Sequence, residues 1–166
     1  MKRMILFLLI IALLMSGCSQ GTEMKKPLKF YYPVKNVDYS IGSSYLQPEV
    51  RDGALIGDYL VDILNTYLRG PVDNQTYSMP FQYNTRVQSL SVKDGILDIT
   101  LTRGFATYTG LPLTIACACI TMTALELTNV ETVRIRAHNT SLDGAEYIEM
   151  NAATILLLDI GTAPEE

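Results

Sequence analysis

The chain of 166 residues has no tryptophan, one histidine and three cysteines. Each scarcity removes a class of chemistry. Cys117 and Cys119 sit two apart, not at the C-x-x-C spacing of metal sites, and His138 is the only imidazole available to join them. On a helix the two thiols point to different faces, which is poor geometry for a disulfide, so both read as small buried apolar residues. Cations are also in short supply, 13 against 17 acids, and a nucleic-acid partner demands the opposite balance. Phosphate-loop chemistry is missing, because Gly42-Ser43-Ser44 has neither a lysine nor a following helix. Asp143-Gly144 lacks the alternating carboxylates of a calcium loop. Asp94 belongs to a turn, Asp98 to the polar face of a strand, and Glu146 and Glu149 to ordinary surface, so none makes a hydrolytic carboxylate pair. His138 stands at a strand end with no nucleophile or orienting carboxylate near it in sequence. The residues therefore predict no enzyme, no metal and no cofactor.

What is present is clearest at the start. Lys2 and Arg3 are the only charges before Glu23, and Met4 to Met15 is an apolar run of 12 residues. A membrane-spanning helix takes roughly 20, whereas a basic start, a short apolar core and small residues describe a signal peptide. Ser16 and Gly17 are those small residues, and Cys18 follows them. The arrangement resembles the lipobox of bacterial lipoproteins, with Met15 where Leu is usual. The resemblance implies a signal peptide over 1–17, cleavage before Cys18, lipid on its thiol, and an extracytoplasmic protein anchored to a membrane. The remaining 149 residues carry 11 cations against 17 acids, a net charge near −6. Residues 18–27 are polar and aperiodic and read as a tether, 28–160 as one domain, and 161–166 as a frayed tail.

Within the domain, Leu28 to Tyr32 reads as a strand ended by Pro33, and Tyr45, Leu46 and Val50 mark a short extended segment. Leu55, Ile56, Tyr59, Leu60, Ile63, Leu64, Tyr67 and Leu68 then line one helical face, with Asp52 as the N-cap and Arg69-Gly70-Pro71 as the stop. After a loop over 72–84, Asp94-Gly95 suits a two-residue hairpin. Lys93 then faces Ile96, Val92 faces Leu97 and Leu90 faces Ile99, so Leu90, Val92, Leu97, Ile99 and Leu101 form one apolar face. Leu111 to Leu127 predicts a second helix, apolar almost all round and buried more deeply than the first. Val130, Val133 and Ile135 predict a strand, Asp143-Gly144 a turn, and Tyr147–Met150 with Thr154–Leu158 a terminal ribbon. The expected class is α+β: a small single-layer mixed sheet with two helices on one face, in the order β-(β)-α-β-β-α-β.

Several pieces of this order carry a resemblance. They are Phe30-Tyr31-Tyr32-Pro33, Leu46-Gln47-Pro48-Glu49-Val50-Arg51, and the helix ending Tyr67-Leu68-Arg69-Gly70-Pro71. The Leu90-Ser91-Val92-Lys93-Asp94-Gly95 hairpin follows with Asp98, Leu101 and Phe105, and then Leu111 to Val133. Together they resemble the GerMN domain of sporulation and spore-germination proteins, from Phe30 to about Ala137. The resemblance implies a non-enzymatic envelope domain with a fold similar to ring-building domains of secretion-type machines. It also implies partners among envelope proteins, copies of itself, or peptidoglycan. Residues 138–160 extend beyond it.

Ten tyrosines without tryptophan is an unusual balance. Tyr31, Tyr59 and Tyr67 are expected to complete a core poor in phenylalanine. Tyr77, Phe81 and Tyr83 lie in a long loop where core duty is least expected, which makes them the candidate interaction surface. Two readings follow: a scaffold or assembly module for envelope proteins, and a glycan-binding module that assists a cell-wall hydrolase.

Overall fold

A computed structural model of the chain describes residues 27–36, 44–56 and 59–156. Cys18, the segments to either side of it and residues 157–166 lie outside the described residues.

Among the described residues six strands and three α-helices follow in order: β1 (Leu28–Pro33), β2 (Leu46–Arg51), α1 (Leu60–Tyr67), β3 (Val87–Lys93), β4 (Ile96–Leu101), α2 (Gly110–Leu127), β5 (Thr132–Ala137), β6 (Ile148–Asn151) and α3 (Ala152–Leu156). The class is α+β as expected. β3, β4, β5 and β6 form one mixed sheet in that order, with β4 and β5 parallel and the outer pairs antiparallel. β1 and β2 stand apart from it as an antiparallel pair of their own.

The long helix α2 explains this division. It packs against β1 on one side and against β5 and β6 on the other. Two packed sides leave little room and little water, and the sequence meets that with Ala116, Cys117, Ala118, Cys119 and Ala124, all fully buried. Length and apolarity alone would let α2 cross a membrane, but half of it is buried inside the domain, as a core helix is. Burial pushes the Cys117 thiol up to about 12, and Cys119 is shifted the same way for the same reason. Both are free thiols.

The hairpin adopts the expected register, Lys93 with Ile96, Val92 with Leu97 and Leu90 with Ile99. Asp94 and Gly95 take φ of 51° and 75°, the conformation that such a two-residue turn needs. The expected burial of its apolar face divides between the strands. Leu97, Ile99 and Leu101 are fully buried, Leu90 is half-buried, and Val92 is 57% exposed. The cause is position: β4 lies inside the sheet, whereas β3 is its edge.

Three expectations are corrected. Asp52 caps a 3-10 turn, Gly53–Leu55, by accepting from the Ala54 N–H at 2.9 Å, and α1 begins only at Leu60. Gly57 and Asp58, within the expected helical pattern over 55–68, lie outside the described residues. Tyr59 stands outside the helix as its N-cap residue, 77% exposed rather than in the core. At the other end, α3 replaces the second half of the expected terminal ribbon. Asn151 and Thr154 bond reciprocally, with Thr154 N–H donating to Asn151 Oδ1 at 3.0 Å and Asn151 N–H to Thr154 Oγ1 at 2.9 Å, which starts a helix.

Candidate functional site

The loop expected to offer Tyr77, Phe81 and Tyr83 is built from the inside outward. Tyr67 of α1 and Phe30 and Tyr32 of β1 are fully buried, and Phe81 joins them at 3% exposure. Ring centroids lie 5.0 Å apart for Tyr32–Tyr67 and 5.1 Å for Tyr67–Phe81, the second edge-on. Their hydroxyls find carbonyls: Tyr32 donates to Tyr67 O at 2.7 Å, and Tyr67 to Tyr31 O at 3.0 Å. Burial pushes both phenols well above their ordinary value.

An ion pair seals this cluster. Arg51 lies over the Phe30 ring, with Cζ 4.9 Å from its centroid, and bonds Glu49 beside it. Its guanidinium also donates to Gly70 O at 2.7 Å and to the Tyr32 hydroxyl at 3.1 Å. The other Glu49 oxygen accepts from Val72 N–H at 2.9 Å and Asp73 N–H at 2.8 Å. One strand thus holds both ends of the turn that ends α1. Gly70 is at φ +105°, and a Cβ there would clash with Met79 Sδ. The loop continues as structure: Lys35 N–H donates to Thr76 O at 3.0 Å, Ser78 N–H to Pro33 O at 2.8 Å, and the Tyr77 hydroxyl to Pro48 O at 3.0 Å.

Of the three proposed surface aromatics, the structure places Phe81 in the core and Tyr77 half-buried with its hydroxyl bonded. Only Tyr83 is fully outward, at 85% exposure. The three nonetheless meet around one cleft of about 320 Å³, with Met79, Lys35, Arg69 and Asn74 completing its walls. Glu49 and Arg51 escaped the sequence reading. The available signal was an acid and a base two apart on a strand, which places them on one face.

A second surface lies on the open face of the four-stranded sheet. The register sets Asp98, Arg134 and Glu149 in one row across β4, β5 and β6. Arg134 donates to Glu149 at 2.7 Å, and Arg136 to Asp98 at 3.1 Å. Tyr147 lies against both guanidinium groups, 4.5 Å from Arg134 and 4.8 Å from Arg136. The free edge, β3, is the third surface. Among the described residues its first amide alone finds a partner away from β4, Val87 N–H donating to Asn65 Oδ1 at 2.9 Å. In a two-residue hairpin the flanking pair is hydrogen-bonded and the next is not, so the N–H and C=O of Val92 and Leu90 point away from β4.

Among the described residues, no group of three or more His, Cys, Asp or Glu is placed to hold a metal ion. His138 is exposed in a turn and contacts the Asn139 amide at 3.0 Å. What the described residues offer is a small α+β domain with an ordered aromatic loop, a charged sheet face and an open strand edge.

Comparison with known proteins gives that domain a family. Residues 29–143 match the model of the Germane family, described as sporulation and spore germination, and the chain belongs to it. No curated protein sequence matches. Among solved structures, the chain is similar to the tandem GerMN domains of the sporulation protein GerM from Bacillus subtilis, with 19% identity and a TM-score of 0.56. That match covers 80% of this chain and 47% of the other, so the chain spans about half the length of the tandem protein. At that identity the likeness concerns the fold. A candidate lipoprotein from Clostridium perfringens aligns with 18% identity, a TM-score of 0.47, and coverage of 86% of this chain and 98% of that one.

Proposed function

We propose that the protein is an extracytoplasmic lipoprotein, anchored through lipid on Cys18, whose domain is a non-enzymatic assembly module in sporulation or germination. Membership of a sporulation and germination family supports the process, and the signal-like start with Cys18 supports the address. The open edge of β3 carries the assembly reading. Gln88, Ser89, Ser91, Val92 and Lys93 are exposed along it and it contains no proline; the register shift between Val87 and Ser89 and the charge of Lys93 confine the open stretch to Leu90 and Val92. An edge strand with free outward N–H and C=O groups is a template for a neighbouring strand unless it is blunted. The neighbour is another copy of the chain or an envelope protein with a free strand.

Sedimentation velocity of the full chain in detergent tests the reading. Wild type is expected to form larger species as concentration rises, and Val92→Lys, which places a charge on the edge, is expected to stay monomeric. Wild type that remains monomeric throughout, or a Val92→Lys variant that associates equally well, counts against assembly through this edge.

A further inference from the structure

The cleft beside α1 has a chemistry that the assembly reading does not use. Its walls carry two cations, Lys35 and Arg69, with the Asp73 carboxylate near Lys35 and none among the described residues near enough to Arg69 to pair with it, although the chain as a whole is acidic with a net charge of −4. Arg69 is exposed and makes no ion pair with any described residue. Lys35 is held at the rim, its Nζ donating to Asn74 O at 2.5 Å. The one ring in the lining that packing leaves free is Tyr83. Beneath these groups the floor is fixed by the Glu49 and Arg51 bonds to residues 70–73, so the cleft exists before anything enters it.

We propose that this cleft binds a carboxylate-bearing pyranose of an acidic polysaccharide. The Arg69 fork pairs with the sugar carboxylate, a charge-assisted contact of directed geometry. Tyr83 supplies a flat face for the C–H side of the ring, and the exposed Asn74 amide supplies hydrogen bonds for hydroxyls. The cleft, about 320 Å³ and open to solvent, has room for one or two rings. The inference stands apart from the β3 edge, which contributes no residue to the cleft.

Saturation-transfer NMR titrations of the full chain in detergent test it, with N-acetylmuramic acid, galacturonic acid and uncharged N-acetylglucosamine as probes. Both acids are expected to bind and the uncharged sugar to bind at least fivefold more weakly. The acid that binds tighter identifies the source of the carboxylate. Arg69→Gln is expected to weaken the acids about tenfold and Tyr83→Ala about fivefold, with unchanged denaturation midpoints because both side chains are exposed. Val92→Lys is expected to bind as wild type does, which separates this site from assembly. Equal binding of the uncharged sugar overturns the proposal, as does indifference to Arg69→Gln. Arg69-dependent binding of a hexaglutamate peptide with no binding of either acid also overturns it, in favour of an acidic protein partner.

Discussion

Two sets of ion pairs in this domain use the same chemistry in opposite surroundings. Glu49 and Arg51 pair with side chains only 8% and 11% exposed, beneath the loop that follows α1. Asp98, Arg134, Arg136 and Glu149 pair on the open sheet face, with exposures from 25% to 42%. The buried pair holds backbone groups that have no other partner among the described residues, whereas the surface row competes with water for every contact. Burial, rather than the number of ion pairs, therefore decides which set shapes the molecule.

Substitution separates the two sharply. Glu49→Ala leaves Arg51 without its carboxylate and strands the Val72 and Asp73 amides, so the expected loss is about 3–5 kcal/mol in urea unfolding. Gly70→Ala is next, at about 1–3 kcal/mol, since φ of +105° is unfavourable for any side chain and Met79 must move as well. Gly70→Ala with Met79→Ala restores only part of that loss, because the backbone strain stays. Asp98→Asn on the surface row is expected to cost no more than about 1 kcal/mol, and the difference should shrink in high salt. A larger loss from Asp98→Asn than from Glu49→Ala would reverse the comparison.

The buried side also has a pH signature. Folding keeps the Tyr32 and Tyr67 phenols protonated well above their ordinary value. The unfolded chain releases those protons near pH 10. Above that pH the folded state binds more protons than the unfolded one, so stability is full below about pH 10 and falls as pH rises past it. Urea midpoints at pH 8, 10 and 11 follow this trend. The smallest effect is a null one: at pH 8 a thiol reagent finds neither Cys117 nor Cys119 in the native domain and both in urea.

What the sequence made legible was local. Asp94-Gly95 set the hairpin register because turn chemistry acts over four residues, and Arg69-Gly70-Pro71 stopped α1 for the same reason. The exposure of Val92 was not legible, since being an edge strand depends on which neighbour is absent. Tyr59 was assigned to the core by a helical pattern that counts apolar positions across Gly57-Asp58. The Asn151/Thr154 pair was readable as a helix start, but the apolar residues beyond it suggested a strand. In the loop over 72–84 the sequence reading assigned the aromatic side chains to the surface too evenly. Phe81 and Tyr77 face inward because β1 offers them Tyr32 as a neighbour, with centroids at 6.4 Å and 6.2 Å. Only pairing across the fold reveals that.

The central claim, that the domain works by joining a neighbour along β3, is tested most directly by cross-linking in membranes of cells that make the protein. With Cys117 and Cys119 buried, a cysteine placed at Val92 is the reactive thiol of the folded domain. Val92→Cys is expected to give a cross-linked species about twice the mass of the chain or larger. Ser141→Cys, exposed near the opposite end of the sheet, is expected to give none. Equal cross-linking from both positions, or cross-linking from Ser141 alone, contradicts the account.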